Sequence, residues 1–133
     1  VVQLSVDGVA VDSERFVMAY LGQWYSDMGA EKTINDPARF IVVKHITGAE
    51  DMICEYPIIS IHSFNSDYTS AKDLSLEVHA HMKALTPKTS VVVNGITYGV
   101  DHRNVEEAPH EVDYDDKNLR RFVARYELGL RLQ

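Results

Sequence analysis

The sequence predicts an α+β fold: a mostly antiparallel sheet of about five strands covered by two helices, in the order α-β-β-α-β-β-β. Two stretches place apolar residues at helical spacing, an Asn-Gly pair separates two β-rich runs, and the closing run alternates with period two. With 133 residues, 45% apolar and 25% charged, the chain has the make-up of one globular domain spanning 1–133, not of a disordered tail.

The first helix is expected over about 13–28, in "DSERFVMAYLGQWYSDMGA". Asp12 or Ser13 suits the N-cap, Phe16, Val17, Tyr20, Leu21, Trp24 and Met28 form one wide apolar face, and Gly29 suits the exit. "RFIVVKHI" (Arg39 to Ile46) is short and β-branched, which favours a strand. "MICEYPIISIHSF" (Met52 to Phe64) reads as its hairpin partner, with Pro57 marking a break, bulge or edge position. In "TSAKDLSLEVHAHMKAL", Thr69 or Ser70 is the expected cap of a second helix. Ala71, Leu74, Val78, Met82 and Leu85 trace its buried face, and Pro87 lies beyond its end. Asn94-Gly95 then supplies the positive φ values of a type I′ hairpin turn. The acidic stretch "DHRNVEEAPHEVDYDDKN" (101–118) is expected to be an exposed loop or protruding arm. The last run, "RRFVARYELGLRL", sets Phe122, Ala124, Tyr126, Leu128, Leu130 and Leu132 on one face of a long strand. Arg121, Val123, Arg125, Glu127, Gly129 and Arg131 lie on the other.

The formal charge of −7, from 20 acidic and 13 basic residues, lacks the basic footprint a sequence-independent nucleic-acid binder requires. No apolar run approaches the roughly 20 residues of a membrane span. The opening "VVQLSVDGVAVDSER" does not read as a signal peptide. One cysteine, Cys54, gives neither a disulfide framework nor a cysteine-rich zinc site; within an apolar strand pattern it reads as a small buried hydrophobe.

No chemical motif is complete. On a helix, His79 and His81 sit about 200° apart, whereas metal-binding pairs use i,i+3 or i,i+4 spacing. His81 is therefore expected near the packed face and His79 toward solvent. His45, His62, His102 and His110 are scattered. Asp113, Asp115 and Asp116 suggest a calcium loop, but its fifth and sixth positions hold Lys117 and Asn118 instead of an oxygen ligand and glycine. No nucleophile elbow or phosphate loop occurs, so no catalytic residue, cofactor or metal is expected. The row Arg121, Arg125 and Arg131, with Glu127 among them, has two readings. It is a solvated face that blunts an edge, or a subunit interface meeting Asp113, Asp115, Asp116, Glu106 or Glu107 of a neighbour.

Three stretches together suggest a family: "SERFVMAYLGQWY", "YPIISIHSFNSDYTSAKDLSLEVHAHMKAL" with its "F-x-S" turn, and the "VVVNGITY" hairpin leading to "RRFVARYELGLRL". This order resembles the tail-terminator (tail-completion) proteins of long-tailed bacteriophages with non-contractile tails. The resemblance implies a non-enzymatic virion protein, made in the host bacterial cytoplasm, that forms a hexameric ring in the phage neck. Such a ring caps the finished tail tube protein, joins the head-completion or connector protein, and lets DNA pass through its lumen without specific binding. The terminal strand and the 101–118 stretch are then the expected contacts. Two alternatives stay open: another neck protein such as a connector or stopper, and a small metal-dependent enzyme or ligand-binding domain using His79, His81 and the acidic loop.

Overall fold

The computed structural model describes residues 5–6, 9–10, 13–47 and 56–132. A two-residue pair, β1 (Ser5–Val6) and β2 (Val9–Ala10), stands apart from the main sheet. There follow α1 (Ser13–Leu21), β3 (Met28–Gly29), β4 (Phe40–Thr47), β5 (Ile58–Asn65), α2 (Tyr68–Lys83), β6 (Ser90–Val93), β7 (Ile96–Glu111) and β8 (Arg120–Leu132). The main sheet has six strands in the order β3-β4-β5-β8-β7-β6, where about five are expected. It is mixed: β3 runs parallel to β4 and every other pairing is antiparallel.

β3 exists because α1 is shorter than its periodicity suggests. The helix ends at Leu21, and the Trp24 and Tyr25 amides both turn back onto the Leu21 carbonyl. Tyr25 still reaches the core, but from a turn and not from a further helical turn. The apolar spacing continues past the helix, so it marks burial without marking the helix end. Asp12 and Cys54, as well as the expected strand start at Met52, lie outside the described residues. The strand itself begins directly after Pro57.

α2 is capped two residues before Thr69, the earlier of the two expected caps. Asp67 is the N-cap, accepting from the Ser70 amide at 2.8 Å and the Ser70 hydroxyl at 3.0 Å. These bonds hold its carboxyl below the usual carboxylate range. Ala71, Leu74, Val78, Met82 and Leu85 are buried as the periodicity predicts. Both helices lie on one face of the sheet, where Phe16, Val17 and Leu21 meet Ile41, Val43, Ile59, Ile61, Ala124, Tyr126, Leu128 and Leu130. Each of the larger side chains contributes roughly 1.5–3 kcal/mol by leaving water.

The stretch 101–118 is not a loop for most of its length. β7 runs to Glu111 and pairs with β8 from Tyr98↔Leu132 to Glu111↔Phe122, leaving only a short turn before Arg120. Its register slips at Val100/His102, Val105/Glu107 and Glu107/His110, each a bulge. Among the described residues no strand pairs with its outer side beyond Gly99. An edge strand wet on its outer side needs no apolar alternation, so its polar sequence imitates a loop. The Asn94-Gly95 turn is as expected, with φ of 52° and 80°.

The two helical histidines exchange roles. His79 points inward, its Nδ1 2.6 Å from the hydroxyl of Tyr126, a side chain with no exposure at all. Burial pushes the Tyr126 hydroxyl above its ordinary range. Burial, with Lys83 and Arg103 nearby, pulls His79 below its own. The bond joins a neutral His79 to an un-ionised tyrosine hydroxyl, and the imidazole tautomer sets which of the two donates. His81 instead stacks on the half-exposed Trp24, ring centroids 3.8 Å apart. Tyr126→Phe leaves the His79 nitrogen unsatisfied, and urea titration should show a loss of about 1 kcal/mol. The loss should shrink when His79 is also replaced by Phe.

Candidate functional site

Among the described residues no helix lies on the other face of the sheet, and its rows can be read across three or four strands. Phe40, Phe64 and Arg121 form one row, and Val42, His62, Val123 and His110 the next. Lys44, Ser60, Arg125 and Glu107 form a third. This face is where the alternation of β8 places the arginines. Phe40, Val42 and Phe64 are buried there, with the turn residue Tyr114 packed against the cluster and edge-on to Phe64 at 4.8 Å. The Lys32 ammonium stands about 6 Å from both phenylalanine rings, and the Arg121 guanidinium 5.2 Å from Tyr114. The result is a small aromatic floor edged with cations.

Of the carboxylates expected to meet the arginines from a neighbour, Glu107 meets one within the chain. Arg125 Nε is 3.1 Å from Glu107, and Arg131 bonds Asp101. Glu127 lies 3.0 Å from His102, and Arg121 donates to the Asp113 carbonyl at 2.6 Å. Asp116 accepts from the Asn118 amide within its own turn, while Glu106 and Asp115 are exposed. The cause is the β7–β8 pairing, which brings an acidic strand alongside an arginine strand. These pairs are solvent-exposed and contribute at most about 1 kcal/mol each.

Lys32, Lys44, His62 and Tyr114 belong to this surface yet carry no motif. The signal for Lys44 and His62 is the same period two: Ile41 and Val43 on β4, and Ile59 and Ile61 on β5, face the helices, so Lys44 and His62 face away. A cleft of about 280 Å³ opens there, lined by Glu31, Lys32, Val42, Lys44, His62, Phe64, Tyr114 and Arg121. At its floor Ser60 Oγ lies 2.7 Å from His62 Nε2. Burial first, then the charges of Arg121, Lys44 and Arg125, lower His62 to about 4. At neutral pH the floor is uncharged and the walls are cationic. Among the described residues no carboxylate stands within ion-pair distance of Lys32, Lys44 or Arg121. Nor, among the described residues, do histidines, cysteines and carboxylates gather in threes; His79 and His81 are turned to separate partners.

No family model matches the chain, and no curated protein does. Among solved structures, a chain of the "Virion of native gene transfer agent (GTA) particle" is similar over 94% of this chain and 90% of that one, with a TM-score of 0.48 and 11% identity. A likeness of that size fixes neither fold family nor function.

His62 sets a pH dependence whose sign follows from its lowered value. The unfolded chain takes up the proton near 6.5 and the folded chain only near 4. The His62 contribution is therefore present above about pH 6.5 and is lost as pH falls toward 4. After allowance for solvent screening the loss is about 1–2 kcal/mol. Denaturation of wild type and His62→Gln across that window should show the wild-type curve falling more steeply with acid, and the two running parallel above pH 7.

Proposed function

We propose that the chain is a structural protein of a phage-type virion: a tail-terminator subunit that forms a ring on the finished tail tube and joins it to the head-completion proteins. One observation carries this reading. Among the described residues the main sheet is layered by helices on one side only, and its other side concentrates cations and aromatic rings in a chain whose net charge is −7. A face of this kind suits contact with another protein better than chemistry on a small molecule. The element order along the chain adds the resemblance to tail terminators. In this reading the cationic face, with Arg121, Arg125 and the turn at Asp113 to Asp116, meets the neighbouring subunit or the tube. Head-to-tail repetition of such a contact closes into a ring when the rotation permits. The overall negative charge lets DNA pass the ring without being held.

Native mass spectrometry, alone and with purified tail tubes, tests the reading. Hexamers, or rings on tube ends that stop further tube growth, are expected. A strictly monomeric protein that never binds tube ends overturns it. Imaging of the particle separates a terminator from a connector or stopper at another level of the neck. Stoichiometric zinc or manganese in the purified protein, lost in His81→Ala, would favour the metal-dependent alternative. Arg125→Glu should shift stability by no more than about 1 kcal/mol, since it breaks one exposed pair. The same change should weaken tube-end binding by roughly tenfold or more.

A further inference from the structure

We infer that the cleft over His62, walled by Lys32, Lys44, Arg121 and Tyr114, is a binding site for an acidic peptide segment of a partner protein. The inference stands on the cleft itself and does not depend on the ring reading. Three elements bring its walls together: Lys44 from β4, Arg121 from β8, and Lys32 with Glu31 from the segment between β3 and β4. Tyr114 closes the end from the turn after β7, and His62 of β5 lies at the floor, bonded to Ser60 of the same strand. Among the described residues Glu31 is the one carboxylate lining the cleft. A sheet face that only needed solubility in an acidic chain would scatter its cations or pair them, as β8 pairs Arg125 and Arg131 with β7. Here Lys32, Lys44 and Arg121 converge with no carboxylate paired to them among the described residues, above a histidine kept neutral by burial first and by the Arg121 and Lys44 charges second.

The shape narrows the class of ligand. At about 280 Å³ the cleft admits side chains of an extended segment and not a folded surface. The Phe64 and Tyr114 rings give the methylene stem of a glutamate an apolar surface, while Lys32, Lys44 and Arg121 receive its carboxylate. Duplex nucleic acid fits poorly, because it needs a broad basic track and the chain is acidic.

The test is fluorescence anisotropy with a labelled hexaglutamate peptide, a hexaglutamine control and a short DNA duplex. Saturable binding of hexaglutamate alone is expected, weakening as salt rises. Lys44→Glu and Lys32→Glu, both on solvent-facing cations, should each weaken it roughly tenfold with the circular dichroism unchanged. A second readout reports from the floor. In isotope-labelled protein the His62 ring titrates near 4, and bound carboxylates should move its midpoint upward. The inference fails if hexaglutamate does not bind, if it binds wild type and Lys44→Glu equally, if the duplex binds in preference, or if the His62 midpoint stays fixed at saturating peptide.

Discussion

β8 is the strand on which the rest of the structure depends. It is hydrogen-bonded on both sides, to β5 through Ile58↔Glu127 to Asn65↔Arg120 and to β7 along most of its length. A strand in that position has no edge to spare, so its two faces carry all its chemical variety. One face, with Tyr126 and Leu128, sits under the helices and holds the core; the other carries the arginines. A one-residue slip against β5 would bring arginines under α2 and Tyr126 into water, so register here is fixed by burial. The His79 bond to the Tyr126 hydroxyl tightens the same choice, because only the correct register brings that group to α2.

The charge distribution follows from the same placement. The chain is strongly acidic, yet the sheet face opposite the helices is locally cationic, since β8 brings Arg121 and Arg125 next to Lys44 across β5. β7 answers part of that charge with Glu107 and Asp101, and the answer runs out toward Tyr114. Repulsion at that end is relieved by keeping His62 uncharged and by laying Lys32 and Arg121 over aromatic rings. A carboxylate arriving from outside completes a set of charges that the described residues leave incomplete.

Where one side of an element is buried, the sequence shows it. The period two of β8, the face of α2 and the Asn94-Gly95 turn are all legible because packing or backbone geometry admits few residues there. Two boundaries are not legible. The end of α1 is hidden because Tyr25 is buried beyond the helix, and β7 is hidden because a strand wet on its outer side can be as polar as a loop. The arginine face is visible in the alternation of β8, but its internal partners depend on recognising β7 as a strand. Lys44 and His62 are equally visible in the alternation of β4 and β5. What no single segment contains is their convergence, which requires the order β4-β5-β8.

The outer side of β7 has a consequence for many copies held close together. β7 is bulged three times against β8, which bends the edge it presents on its other side, and Pro109 offers no N–H to an incoming strand. Two such edges cannot zip into one continuous sheet, so copies crowded at high local concentration have no route to a growing fibril along it. An assembly that brings this side of the sheet together forms through faces and turns, and contacts of that kind can be limited to a fixed number of copies.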